Sequence, residues 1–145
     1  MTIKYNNVFI EDAYTICGNY ENDGPLSKYF DKKYEKDLYF GEKSWEQAEV
    51  HLLKEANTNI LKKKKLKEED IDLLISGDLQ NQIAASNYMA REFNIPFLGI
   101  FEACSTSGEG LAIGSTYIEG GFAKRILVST SSHNMAAEKQ FRNPT

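Results

Sequence analysis

Apolar positions along this chain recur at helical spacing in some stretches and as short continuous runs in others, and the alternation predicts its elements. Val8-Phe9-Ile10 is a short strand candidate. Residues 18–41 are polar but dotted with rings, Tyr20, Tyr29, Phe30, Tyr34, Tyr39 and Phe40, around a turn at Asp23-Gly24-Pro25. A loop this long and this aromatic is expected to be packed or functional. Ser44-Trp45-Glu46-Gln47 reads as a capping box, with Ser44 as N-cap and Gln47 reaching back. The helix it opens places Trp45, Ala48, Leu52, Ala56 and Ile60 on one face. Ile71-Asp72-Leu73-Leu74-Ile75-Ser76 is nearly continuous, as in a strand buried on both faces of a parallel sheet. A helix through Ala84, Ala85, Tyr88, Met89 and Phe93 follows, Pro96 interrupts it, and residues 97–101 form the next strand. Another helix, about residues 105–118, stops at Gly120-Gly121, and Arg125-Ile126-Leu127-Val128-Ser129-Thr130 is a further strand. A polar, helix-compatible end follows, with Phe141-Arg142-Asn143-Pro144-Thr145 last.

Strands alternating with helices at these lengths specify right-handed βαβ units, hence an α/β domain with a parallel sheet between helix layers. The 145 residues suffice for one domain with its own core, and the apolar and charged fractions, 41% and 26%, are ordinary for a globular chain. A net charge of −4 argues against general affinity for nucleic acid or anionic lipid. The chain has no apolar run of the roughly 18 residues a spanning helix needs, and its first residues, Met-Thr-Ile-Lys-Tyr-Asn-Asn, lack a signal-type apolar region. The expectation is therefore an intracellular protein. Its two cysteines, Cys17 and Cys104, are far apart and outside any Cys/His cluster, so free thiols are expected and no metal site.

Lys62-Lys63-Lys64-Lys65 reads either as an anion or nucleic-acid patch or as a solvated helix end complementing the helix dipole; the acids Glu68, Glu69 and Asp70 that follow favour the second. In an open α/β sheet, ligands bind beyond the carboxyl ends of the strands. Three such ends carry chemistry: Gly77-Asp78-Leu79-Gln80-Asn81, Glu102-Ala103-Cys104-Ser105-Thr106 and Ser131-Ser132-His133-Asn134. Cys104 falls where strand turns into helix. The free N–H groups of a first helical turn favour a thiolate there, or hold a carboxylate or an acyl oxyanion. It reads as a nucleophile, a ligand contact, or a small buried residue at a crowded corner. Glu109 suits the same dipole, and Gly110 and Gly114 bare one stripe of that helix for close packing. His133 is a base, an anion donor or a core imidazole satisfied by backbone; Asp78 is a ligand contact or a helix cap. His51 reads as a surface or boundary histidine and Cys17 as structural. Gly108-Glu109-Gly110 with Gly114 does not fit GxGxxG, and neither GxxxxGK[ST] nor GxSxG is present.

A strand, then Ala103-Cys104-Ser105-Thr106-Ser107, a glycine-containing helix and Gly120-Gly121-Phe122-Ala123-Lys124-Arg125 resemble the nucleophile segment of the thiolase superfamily. Further motifs narrow the likeness: Gly24-Pro25-Leu26, Phe30-Asp31, Ser44-Trp45-Glu46, Asp70-Ile71-Asp72, Gly77-Asp78-Leu79 with Asn81-Gln82, Ile95-Pro96-Phe97-Leu98, and Thr130-Ser131-Ser132-His133-Asn134 with Gln140-Phe141-Arg142. Together they resemble the AD family of stage V sporulation proteins, from about Val8 to the end of the chain. Thr-Ser-Ser-His-Asn followed by Gln-Phe-Arg is specific, because ordinary thiolases carry a glycine-glutamate motif there.

The resemblance implies a thiolase-like fold with a parallel-rich mixed sheet, residues 1–145 forming the first βαβαβαβ half of a two-half molecule. It implies a spore-formation protein that binds dipicolinic acid (pyridine-2,6-dicarboxylate) or its calcium complex. That protein belongs to an AC/AD/AE-type transport complex serving uptake into the developing spore and release at germination. It further implies membrane-protein partners, a position peripheral to the spore inner membrane, a homodimer when full-length, no cofactor and no metal. Cys104 matches the nucleophile position with its reaction lost. Asp78, Asn81, Ser132 and His133 match strand-end motifs and, with Cys104 and Ser105, are expected to line the ligand pocket. The alternative is a thiolase or ketoacyl-synthase type acyltransferase using Cys104. The catalytic histidines of that chemistry would come from a second half, so a partial chain is expected.

Overall fold

In the computed structural model, residues 2–137 are described; the Gln140-Phe141-Arg142 motif and the end at Asn143-Pro144-Thr145 lie outside them. In chain order the elements are β1 (Ile16–Cys17), α1 (Asn19–Asn22), β2 (Lys32–Lys33), α2 (Trp45–Lys64), β3 (Leu73–Gly77), α3 (Ala84–Ala90), β4 (Phe97–Gly99), α4 (Thr106–Glu119) and β5 (Ile126–Thr130). A small parallel pair, β1 and β2, closes one end of the long aromatic loop. The main sheet has the order β4-β3-β5 and is parallel at both pairings, with Leu74 opposite Phe97 and Leu127, and Ser76 opposite Gly99 and Ser129.

Because side chains alternate across a strand, β3 faces two layers. Leu74 points into a core with Leu53 and Leu61 of α2, Met89 of α3, Ile71 and Ile95. Ile75 points the other way, onto α4, where Gly110 and Gly114 meet Val128, Ile126 and Ile75. A Cβ on Gly110 would lie 2.6 Å from Val128 Cγ1, so the bare stripe is what lets α4 sit directly on the sheet. Gly77 ends β3 for the same kind of reason: a Cβ there would come 2.2 Å from the Ile100 carbonyl.

Ser44 caps α2 as expected, its Oγ accepting from the Gln47 N–H at 3.2 Å. The helix ends in a left-handed Lys65 (φ 56°), with the Leu66 N–H donating to the Leu61 carbonyl at 2.9 Å. Two lysines beyond the expected solvated end have definite partners. Lys63 reaches Asp12 at 2.9 Å and the Ala13 carbonyl at 2.9 Å, and Lys64 reaches Glu11 at 3.6 Å. Lys63 and Lys64 therefore anchor the N-terminal segment, while Lys62 and Lys65 stand exposed.

Two expectations are corrected. Val8-Phe9-Ile10 is not a strand among the described residues. Its neighbours Asn6 and Asn7 give their N–H groups to the Glu119 carboxylate, and Phe9 and Ile10 stand in solvent. Apolar residues alone do not make a strand where no sheet edge meets them. The buried stripe of α2 is also rotated by one position, through Ala48, Glu49, Leu53, Asn57 and Leu61 rather than Trp45, Ala48, Leu52, Ala56 and Ile60. Two of those positions are polar, and both are partnered inside: Asn57 donates to Met89 Sδ at 3.0 Å, and Glu49 belongs to the site below.

Candidate functional site

All three main strands run the same way, so the turns that leave β3, β4 and β5 gather at one edge of the sheet. The order β4-β3-β5 makes the chain leave β3 toward one side and return across it to the other, the arrangement at which open α/β sheets form ligand crevices. The expected residues follow those three strands.

After β4, a 3-10 turn at Ala103–Ser105 leads into α4, and Cys104 sits in it, exposed. Ala103 adopts φ 46°, a left-handed conformation unusual outside glycine. The turn is cross-braced: Ser105 Oγ donates to the Glu102 carbonyl at 2.8 Å and Thr106 Oγ1 to the Ala103 carbonyl at 2.8 Å. Ser105, Ser107 and Gly108 are exposed beside Cys104, and space around Gly108 is open. Glu109, in the first turn, has Oε2 shielded from water without a hydrogen-bond partner among the described residues.

After β3, Asp78 is buried, and backbone amides occupy its carboxylate. Oδ1 accepts from the Gln80 N–H at 2.9 Å and Oδ2 from the Ser86 N–H at 2.7 Å. It thus shapes the turn that enters α3 from a distance; the N-cap position that sequence offered it belongs to Ile83. Asn81 opens the 3-10 turn Asn81–Ile83 and is exposed. Gln82 and the β-branched Ile83 take φ 58° and 48°.

After β5, Ser132 is exposed and His133 buried. His133 Nε2 donates to the Leu38 carbonyl at 2.8 Å, while Nδ1 accepts from the Ala136 N–H at 3.4 Å. That pattern belongs to the Nε2–H tautomer, an imidazole satisfied by backbone. The Phe40 ring stands edge-on to His133 at 5.7 Å between centroids, and Phe40 is itself left-handed, φ 52°. Every strand end at this edge therefore touches a non-glycine residue in a sparsely populated conformation. Such strain collects where a site holds its backbone against local preference.

One residue of the arrangement escapes the sequence reading. Glu49 of α2 is 0% exposed, and its carboxylate spans two of the loops. Gln80 Nε2 donates to Oε2 at 2.8 Å, and Ser131 Oγ donates to Oε1 at 2.9 Å. Burial pushes the Glu49 carboxyl above its ordinary 4.5; Asp78 adds to this, while the bonds from Gln80 and Ser131 and the nearness of His133 oppose it. The available signal is its spacing of four from Leu53, a carboxylate in register with a leucine stripe. Behind it, Ser129, Ser76 and Ser86 form a hydroxyl chain linking β5, β3 and α3, at 3.1 and 3.2 Å.

The remaining singled-out residues lie elsewhere. Cys17 is buried in β1, where desolvation raises its thiol. His51 bonds Glu42 through Nδ1 at 3.0 Å and Tyr34 through Nε2 at 3.3 Å, beside a groove of about 910 Å³ between α2 and α3. Among the described residues no three His, Cys, Asp or Glu side chains gather as a metal site, and no helix is long and apolar enough to cross a membrane.

A family model described as Stage V sporulation protein AD (SpoVAD) matches residues 1–145. Stage V sporulation protein AD of Bacillus subtilis (strain 168) is 51% identical over 138 residues, which cover 95% of this chain and 40% of that protein. The chain thus spans about 40% of the length of the curated relative it matches. Among solved structures, 3-oxoacyl-(acyl-carrier-protein) synthase III from Aquifex aeolicus VF5 superposes with a TM-score of 0.54 at 21% identity, over 63% of this chain and 30% of that one. At that identity the likeness bears on the fold, a thiolase-like α/β arrangement.

Proposed function

The chain belongs to the stage V sporulation protein AD family, and on that premise we propose that it binds dipicolinic acid, or its calcium complex, at the carboxyl edge of the main sheet. On this reading it serves an AC/AD/AE-type transport complex, with membrane proteins of that complex as partners. It acts at the spore inner membrane as a peripheral, full-length homodimer, in uptake during spore formation and release at germination. The observation that carries the reading is the exposed corner at Cys104, where the first turn of α4 opens beside exposed hydroxyls. A planar dianion is matched by N–H groups at a helix start, by hydroxyl and amide donors, and by an apolar wall for its ring. Ser132 and Asn81 are the donors, Ser105 braces the corner through the Glu102 carbonyl, Cys104 is the corner contact and Phe101, exposed three residues before it, the wall. Asp78 and His133, held by backbone, keep their loops in shape beneath the ligand.

Calorimetric titration of the full-length protein with dipicolinate and with its calcium complex tests this. Saturable heat is expected for wild type, with Cys104→Ala and Ser132→Ala each weakening binding by about three- to tenfold, the scale of one lost contact. Absence of heat with both ligands removes the proposal.

A second reading, acyl transfer, draws on the strained Ala103 that presents Cys104 outward. There the thiolate attacks an acyl thioester carbonyl, forms the Cys104 thioester and releases the carrier thiol. Incubation with acyl-CoA followed by mass spectrometry decides it, since an unlabelled Cys104 eliminates this chemistry.

A further inference from the structure

We propose that Glu49 is a positioning residue of this site, a clasp from α2 that fixes the loop after β3 against the loop after β5. The inference rests on the ligand reading for its binding readout alone; the clasp itself is a matter of geometry. Its two oxygens bond different loops, Gln80 at 2.8 Å and Ser131 at 2.9 Å. Each bonded residue immediately precedes an exposed donor, Asn81 on one loop and Ser132 on the other. Gln80 is held a second time, its backbone N–H on Asp78, so motion of Glu49 is transmitted to the turn rather than absorbed by a free side chain. The loop after β5 is likewise pinned beyond Ser132, by His133 on the Leu38 carbonyl. Packing alone does not explain a carboxyl group here. A leucine would fill a fully buried position on α2 without the desolvation that a carboxyl suffers. What the carboxyl adds is a bridge with two acceptors, which no aliphatic side chain supplies.

The test uses the full-length protein with Glu49→Leu, Glu49→Gln and Ser131→Ala, read by amide hydrogen exchange and by dipicolinate titration. Glu49→Leu should speed exchange of residues 79–82 and 131–134 by about tenfold or more, the factor for one lost net hydrogen bond, leaving β3 protected. Glu49→Gln should restore protection to within about threefold, because its one new N–H donor needs only one partner to accept, which the Gln80 amide does by turning over or the Ser131 hydroxyl by rotating, while the other partner still donates to the amide oxygen. Ser131→Ala removes one arm and should loosen residues 131–134 only, which keeps the test decisive if the leucine variant does not fold. Dipicolinate affinity should fall about tenfold in the leucine variant and hold in the glutamine variant. Unchanged exchange in Glu49→Leu, or equal damage in leucine and glutamine, overturns the clasp. Wild type that fails to bind dipicolinate defeats the ligand reading instead, and the exchange data still decide the role of Glu49.

Discussion

At the scale of single residues, the two buried carboxyls at the sheet edge behave differently because their donors differ. Asp78 receives two backbone amides, so Asp78→Ala leaves the Gln80 and Ser86 N–H groups unpaired out of water. The expected loss is about 2–3 kcal/mol, read as a lower urea midpoint with an unchanged slope. Glu49 receives two side-chain donors in a dry setting, and its folded-state affinity for a proton exceeds that of the unfolded chain. Its contribution to stability is therefore complete below an ordinary value of 4.5 and is lost as pH rises through the higher folded value. Glu49→Gln does not ionise, so it should gain stability relative to wild type as pH rises above about 4.5. Denaturant titrations across that range check this, and a constant difference would contradict it. Sequence led to Asp78 through its place after Gly77, since strand-end position is written in the apolar run before it. Glu49 was missed because its partners, Gln80 and Ser131, are 31 and 82 residues away.

Among the elements, the strands that were legible are those written as apolar runs, whether buried along most of their length like β3 or only half-buried like β5. The uninterrupted runs at 71–76 and 125–130 match β3 and β5 closely. The face of α2 was misplaced by one residue because a periodicity count skips polar positions, and this helix buries Glu49 and Asn57. Val8-Phe9-Ile10 failed for the opposite reason: its composition suits a strand, but pairing depends on an edge elsewhere in the molecule. The glycines of α4 separate two roles that sequence alone leaves merged. Gly110→Ala drives a Cβ to 2.6 Å from Val128 and should destabilise by about 1–3 kcal/mol, less the helix propensity that alanine adds. Gly108→Ala meets nothing within 4 Å and should stabilise by about 0.5–1 kcal/mol. Opposite shifts in thermal midpoint are the expected result, and shifts of the same sign would show that α4 does not sit on the sheet as described.

Across the whole molecule, the alternation of apolar runs sufficed for a parallel α/β sheet with helices on both faces, and the resemblance supplied the thiolase-like character that the fold comparison bears out. One surface departs from an ordinary globular exterior. Phe9 and Ile10, 82% and 77% exposed, border a groove of about 290 Å³ together with Leu111 and Ile118 of α4. Large apolar side chains left this exposed favour association, although charged residues such as Glu11, Lys64 and Arg125 line the same groove. The 145-residue chain on its own should show a mass that rises with concentration in light scattering, and Phe9→Ser with Ile10→Ser should reduce it. A monomer at every concentration would show that this surface is not adhesive.

An anionic ligand bound at the Cys104 corner would cover its thiol, so protection of Cys104 from alkylation is the decisive measurement. Full-length protein is alkylated with iodoacetamide, with and without saturating dipicolinate, and the Cys104 peptide is followed by mass spectrometry. Cys104 is exposed and Cys17 buried, so Cys104 should react first in the free protein. Dipicolinate should slow Cys104 alkylation by about tenfold or more, the extent expected when bound ligand occupies most sites, with no change at Cys17. Equal rates with and without ligand, in protein that binds dipicolinate by calorimetry, would contradict it.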